Sequence, residues 1–169
     1  MNQERAIFSG SGGQGLMFIG KLFANMALSK YTHLTFFPSY GAEVRGGTSN
    51  CQVILSEEEI PSPIVETADG LILMNQPSTD RFTPFLEKGG SAFINASMSS
   101  VPEQDNVKGI PATEIAHTIG DVRSANVVLF GAYLKEKGFF DFDFAASHVS
   151  EAAAKKSKKA EKINRKALK

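Results

Sequence analysis

Glycines recur along the segment GSGGQG, residues 10–15, which lies between two apolar runs. Their G-x-G-x-x-G spacing is typical of a strand–turn–helix unit. The first glycine permits a tight turn, the second lets another molecule approach the backbone, and the third lets helix and strand pack closely. Free amides at a helix start also attract phosphate. The pattern predicts a binding turn whose candidate residues are Gly10, Ser11, Gly12, Gly13, Gln14 and Gly15.

A dinucleotide site of the nicotinamide type needs an acidic residue near the end of the second strand, where it holds the ribose. Here that region is Pro38, Ser39 and Tyr40, and Glu43 follows only several residues later. The sequence therefore argues against NAD binding. A turn that serves helix–strand packing and binds nothing tightly stays open as an alternative.

A second candidate is the polar loop GAEVRGGTSN, residues 41–50, in which Arg45 precedes two glycines. The planar guanidinium of an arginine held this way suits a phosphate or a carboxylate. Loops that follow the first two strands of a doubly wound sheet lie at one edge, so Arg45 is expected near Gly12 and Gly13. An exposed ion pair between Arg45 and Glu43 is the alternative.

The elements that position these residues alternate between strand and helix. Apolar runs predict strands at 5–9, 33–37, 51–56, 69–75 and 91–95, with Pro38 ending the second. Helical spacing or capping residues predict helices near 15–30, 79–88, 113–118 and 124–138. The sequence thus predicts an α/β fold: a doubly wound, largely parallel, Rossmann-like sheet with helices on both faces.

The charge is uneven, although the chain is neutral overall. Residues 151–169 carry eight basic and two acidic side chains, so this tail has a net charge of +6 and the rest −6. We expect one domain, residues 1–144, followed by a basic C-terminal helix, 145–169. That helix is either a solvated face or an arm that docks on an acidic partner or a nucleotide phosphate. Nucleic acid is disfavoured because no aromatic residue interleaves the lysines.

Other residues limit the chemistry of the chain. Cys51 is the single cysteine, so a four-thiolate iron–sulfur cluster is excluded, and it opens an apolar strand as a small core residue would. The three histidines have no metal-ligand spacing. The lack of an internal disulfide, of a signal-peptide pattern and of a membrane-spanning apolar run favours the cytoplasm.

Four blocks together resemble the gamma subunit of 2-oxoacid:ferredoxin (acceptor) oxidoreductases, most of all the 2-oxoglutarate enzyme. They are GSGGQG, PSYGAEVRGGTSNCQVILS, ADGLILMN and SANVVLFGAYL, within residues 5–138. The resemblance implies a multi-chain enzyme that decarboxylates a 2-oxoacid and transfers the acyl group to coenzyme A. Thiamine diphosphate and iron–sulfur clusters would serve the complex, with none held by this chain alone.

The resemblance further implies partners: thiamine-binding alpha and beta subunits, and a delta or ferredoxin-like subunit that carries clusters. Residues 10–15 would face the cofactor cavity or a partner, on the coenzyme A side, and the loop nearest the other chains would contain Ser39, Tyr40 and Arg45. No residue is assigned a catalytic role, and the chain is expected to be inactive alone. A stand-alone nucleotide- or coenzyme-binding regulatory module and a passive structural wedge are the alternatives.

Overall fold

The computed structural model describes residues 3–40, 48–155 and 157–169, with Tyr40 described by its backbone. Within these ranges the chain forms six strands and six α-helices, with three strands in succession after the first helix and four α-helices after the last strand, and two short 3₁₀ helices occur at Thr83–Phe85 and Val122–Ser124. The strands are β1 Gln3–Gly10, β2 His33–Tyr40, β3 Ser49–Ser56, β4 Ala68–Leu73, β5 Leu86–Asn95 and β6 Val107–Ile110. The helices are α1 Leu16–Ala27, α2 Gln76–Phe82, α3 Ala112–Ile119, α4 Ala125–Lys137, α5 Phe142–Ala154 and α6 Lys158–Ala167.

The strands form one mixed sheet in the order β2-β3-β1-β4-β5-β6. Strands β1, β4, β5 and β6 pair in parallel, whereas β3 is antiparallel to both of its neighbours. The connection from β2 to β3 spans only residues 41–48, too short for the dozen or more residues of a parallel crossover. The α/β prediction is therefore confirmed, with an antiparallel hairpin added to the parallel sheet.

Strand β2 continues through Pro38 to Tyr40, so the prediction that Pro38 ends it was wrong. Pro38 stands opposite Cys51 of β3, and β2 is the outermost strand. An edge strand accepts proline because one side of it makes no ladder hydrogen bonds.

The second predicted helix is also shorter than expected. Asn75 caps α2, where its Oδ1 accepts a hydrogen bond of 3.0 Å from the Ser78 amide, and the helix ends at Phe82. Pro84 follows within the 3₁₀ turn, and it supplies no amide hydrogen with which an α-helix could continue. The chain enters β5 at Leu86 instead of remaining helical to residue 88.

Helices cover both faces of the sheet. Helices α1, α4 and α5 pack over one face around Phe8, Phe23, Phe130 and Tyr133, whose rings meet mostly edge to face. Such aromatic pairs each add about 0.5–1.5 kcal/mol beyond the area they bury. A smaller cluster on the other face includes Phe82 of α2. None of the described helices is long and apolar enough to span a bilayer.

Cys51 is buried between the sheet and α1, and its thiol donates to the Leu16 carbonyl at 3.4 Å. Burial raises the pKa of this thiol to about 12, which keeps it protonated and unreactive. A Cβ at Gly20 would lie 2.4 Å from the Cys51 sulfur, so the glycine permits the close approach of α1. The prediction of a small core cysteine is confirmed.

An ionic group is buried at the amino ends of β1 and β4, opposite the glycine turn. Glu4 is 1% exposed, and its carboxylate contacts the Lys137 ammonium at 3.0 Å and accepts a hydrogen bond of 2.7 Å from the Tyr133 hydroxyl. Lys137 also donates to the Asp69 carbonyl at 2.7 Å. Desolvation raises the pKa of Glu4, although Lys137 opposes the change.

The basic C-terminal segment is not a single helix. Helix α5 begins at Phe142, three residues before the predicted boundary, and a new helix, α6, starts after Ser157, whose hydroxyl accepts from the Ala160 amide. Buried Ile163, Ala167 and Leu168 fix one side of this segment to the domain. The interpretation of the tail as a solvated, frayed helix is therefore wrong for that side.

Candidate functional site

The carboxyl end of β1 lies at the same sheet edge as the β2–β3 hairpin. Ser49 stands opposite Gly10 on one side and Tyr40 on the other. Because neighbouring strands are about 4.8 Å apart, the glycine turn and the end of β2 are roughly 10 Å apart. The two predicted segments therefore leave the sheet side by side, although Arg45 itself lies outside the described residues.

Side chains within the turn hold its shape. The Ser11 amide donates to the Gln14 side-chain oxygen at 2.6 Å, and the Gln14 amide donates to the Ser11 carbonyl at 3.2 Å. From the start of α2, the Asn75 amide group donates to the Ser11 hydroxyl at 2.6 Å. Ser11 and Gln14 thus fix the backbone of the turn.

The four glycines of the turn differ in their surroundings. A Cβ at Gly10 would lie 2.5 Å from the Gln14 oxygen, and one at Gly15 would lie 2.5 Å from the Asn126 nitrogen. Gly13 has a φ of +86°, a conformation that favours glycine on its own. Gly12 has no positive φ, and a Cβ there would have no atom within 4 Å. Packing within the chain therefore explains why glycine is needed at positions 10 and 15, but it gives no reason for glycine at position 12.

We expect Gly15→Ala to destabilise the fold by about 2–4 kcal/mol, because alanine is strained at φ +75° and its methyl group would collide with Asn126. Gly89→Ala is the matched control, since Gly89 has a φ of +85° and open space around it. That control should lose only the conformational part, about 1–2 kcal/mol. Urea unfolding measures the free energy of unfolding of both variants. Equal losses of stability would show that the collision of the alanine methyl group with Asn126 does not destabilise the fold.

A cavity of about 360 Å³ lies beside the turn, between the 3₁₀ helix at Val122–Ser124 and the start of α6. Gly13, Gly15, Arg123 and Asn164 are among its lining residues. Arg123 hydrogen-bonds Asp121 at 2.7 Å and holds the pKa of that carboxyl at about 2. The sequence did not indicate this cavity, because residues more than 100 positions apart form it.

Further polar side chains at this edge were also missed by the sequence analysis. The Ser9 hydroxyl donates to the Ser78 hydroxyl at 3.0 Å, and Arg81 donates to the Thr48 hydroxyl at 3.1 Å. Arg81 thereby ties α2 to the last residue of the 41–48 connection. The sequence did not indicate this contact of Arg81, because it forms only when strand β3 lies beside β1.

The topology supports the argument against a nicotinamide cofactor. In the dinucleotide-binding fold, the strand that carries the ribose-binding acid is next to β1. Here β3 lies between β1 and β2, and Ser39, near the end of β2, stands opposite Asn50 of β3. Within the described ranges, no three His, Cys, Asp or Glu side chains are grouped as a metal site would require.

A family model described as pyruvate ferredoxin/flavodoxin oxidoreductase matches residues 5–169, which include the glycine turn, the hairpin and α6. The chain belongs to this oxidoreductase family. The gamma-subunit resemblance inferred from the four sequence blocks is confirmed by subunits of 2-oxoacid oxidoreductases among the relatives and by a solved structure that is named as a gamma subunit.

Two curated members of the family illustrate the relationship. Ketoisovalerate oxidoreductase subunit VorA from Methanothermobacter marburgensis is 38% identical over 134 residues, which are 78% of this chain. The chain spans only 28% of the length of that relative. The 2-oxoglutarate synthase subunit KorC from Methanocaldococcus jannaschii is 34% identical over 130 residues, which cover 73% of this chain and 70% of KorC.

Solved structures of the oxidoreductase family share the fold. The gamma subunit of a keto/oxoacid ferredoxin oxidoreductase from Geobacter sulfurreducens superposes with a TM-score of 0.83 at 25% identity, covering 99% of this chain and 93% of that subunit. A 2-oxoglutarate:ferredoxin oxidoreductase from Magnetococcus marinus has the same TM-score at 20% identity, with 99% of this chain matched to 30% of the longer one.

Proposed function

We propose that this chain is an accessory subunit of a multi-chain 2-oxoacid:ferredoxin oxidoreductase, and that its glycine turn faces the coenzyme A side of a site completed by other subunits. The observation that carries the proposal is the open space at Gly12. A position that needs no glycine for the chain's own packing, within a turn held rigid by Ser11 and Gln14, is suited to close approach by another molecule.

The residues of the turn can bind and orient a ligand, but none of them is an acid or base that ionises near neutral pH. Its described side chains, Ser11 and Gln14, are neutral, and Asn75 behind them is neutral as well. Exposed backbone at Gly12 and Gly13 offers hydrogen-bonding groups to a phosphate or an amide, which fits coenzyme A. Coenzyme A, when bound, supplies the thiol that accepts the acyl group.

The other cofactors are assigned to partner chains. Cys51 is the single cysteine and is buried against Leu16, so this chain has no thiolate set for a cluster. We therefore place thiamine diphosphate on the alpha and beta subunits and the iron–sulfur clusters on a delta or ferredoxin-like subunit, in the cytoplasm.

The substrate we propose is 2-oxoglutarate, with ketoisovalerate as the second candidate. Relatives named as 2-oxoglutarate synthase subunits match most of their own length, whereas the VorA relative has the higher identity over a smaller part of its length. The side-chain pocket for the substrate is placed on other subunits, so activity measurements must decide between the two acids.

The test is reconstitution. We expect the assembly containing this chain to reduce ferredoxin when given a 2-oxoacid and coenzyme A, and the assembly lacking it to lose that activity. Parallel assays with 2-oxoglutarate and ketoisovalerate identify the substrate. Full coenzyme A-dependent activity without this chain, or turnover by this chain alone, would contradict the proposal.

A stand-alone coenzyme-binding module is the second candidate, favoured by the cavity that this chain forms by itself beside the turn. Calorimetry with coenzyme A separates the two functions. Micromolar affinity of the isolated chain, without partner subunits, would support the module.

A further inference from the structure

Helix α6 presents an exposed basic face. Its buried side consists of Ile163 and Ala167, one helical turn apart, and Leu168 follows in the same core. On the other side, none of the basic side chains of α6 forms an ion pair within 4.0 Å in the described part of the chain, and the positive charge of Lys159 helps to lower the pKa of Asp121. We call this exposed set the basic face: Lys158, Lys159, Lys162, Arg165, Lys166 and Lys169.

The charges of the basic face are locally unfavourable. Lys158 and Lys162 are four residues apart, as are Lys162 and Lys166, so like charges repel along the helix. Lys158 and Lys159 also occupy the first turn, where the helix dipole disfavours positive charge. Arg165 and Lys166, in the last turn, are favoured by the dipole, so the conflict is limited to the first turn and the spaced lysines. Such conflicts are typical of surfaces used for binding.

Helix α6 is held next to the glycine turn by the side opposite its basic face. A Cβ at Gly131 of α4 would lie 2.3 Å from the Leu168 carbonyl oxygen, so the end of the chain lies directly on the α4 backbone. At its other end, α6 lines the same cavity as Gly13 and Gly15. A polypeptide that covers the turn would therefore meet α6 as well.

We propose that the basic face docks on an acidic surface of another subunit of the oxidoreductase. The ten residues of α6 span about 15 Å, so the charges are spread along a strip instead of converging on one phosphate. No aromatic side chain on α6 is available to stack on nucleic-acid bases. This inference rests on the subunit role proposed above and adds the chemistry of the contact.

The test compares two variants of equal charge change. Lys158→Glu/Lys162→Glu reverses part of the basic face, and Lys21→Glu/Lys88→Glu reverses two exposed lysines elsewhere. Affinity is measured between this chain and the remaining subunits, assembled without it. We expect the α6 variant to bind the remaining subunits about tenfold or more weakly than wild type at low salt, and the control variant to bind about as tightly as wild type. The difference in affinity between wild type and the α6 variant should narrow as the salt concentration rises.

Each outcome decides a separate point, once thermal unfolding shows that both variants fold. Equal affinity for wild type and α6 variant, or equal weakening by the control, would overturn the docking inference alone. No binding by the wild type would overturn the subunit role and the docking inference together. If the α6 variant instead loses self-association or binding to duplex DNA, while its affinity for the other subunits is unchanged, the basic face would be assigned to those partners.

Discussion

Replacement of Lys137 by methionine should destabilise the protein by about 3–5 kcal/mol at neutral pH, the usual cost of removing one member of a buried ion pair. Glu4 is 1% exposed and the Lys137 side chain 8% exposed, so water cannot replace the lost ammonium. Methionine keeps much of the apolar stem of lysine, and the effect therefore reports the charge. Urea unfolding measures it.

The destabilisation should depend on pH. Without Lys137, the pKa of Glu4 rises further above its ordinary value, because burial already raises it and Lys137 opposes that rise. A carboxyl whose pKa is higher in the folded than in the unfolded protein stabilises the folded state at pH values below its unfolded pKa. That stabilisation is lost as pH rises through the folded-state pKa. The Lys137→Met variant should therefore lose stability, relative to wild type, as pH rises above the ordinary pKa of a glutamate carboxyl.

Two further variants complete this test. Lys135→Met, on the exposed side of the same helix, should change stability by less than about 0.5 kcal/mol. Adding Glu4→Gln to Lys137→Met removes the buried charge and should recover part of the loss and flatten its pH dependence. A Lys137→Met variant as stable as wild type at pH 8 would refute the assignment.

Gly12→Leu should abolish most of the coenzyme A-dependent activity of the assembled enzyme, by about 100-fold, while the chain folds normally. A leucine at Gly12 has open space and no positive φ to oppose it, so its effect must come from what approaches the turn. Displacing a bound group by about an ångström is enough for such a loss. Steady-state assays of the reconstituted complex measure it.

Gly12→Ala is the graded control and should have a smaller effect on activity. Unfolding free energies of both variants should stay within about 0.5 kcal/mol of wild type, as at ordinary surface positions. Reduced activity with intact assembly would exclude a passive wedge. Full activity of Gly12→Leu would mean that nothing approaches the turn closely, and the proposed function would lose its main support.

Local pattern was enough to locate the candidate turn. The strand before Gly10, the helix after Gly15 and the glycine spacing were all read correctly, because each depends on neighbouring residues. The same local approach failed at Pro38, where a strand edge decides whether proline is tolerated. It also could not separate Gly12 from Gly15, since the crowding at Gly15 comes from Asn126, a residue 111 positions away.

The sequence by itself determined the α/β class, the turn between β1 and α1, and the excess of positive charge in residues 151–169. Only the tertiary structure decided that β3 lies between β1 and β2, that Lys137 neutralises Glu4, and that α6 lies beside the turn. Periodicity and glycine spacing act over a few residues and are visible along the chain. The contacts that set strand order, buried charge pairing and helix docking join residues far apart in sequence, so they exist only once the chain has folded.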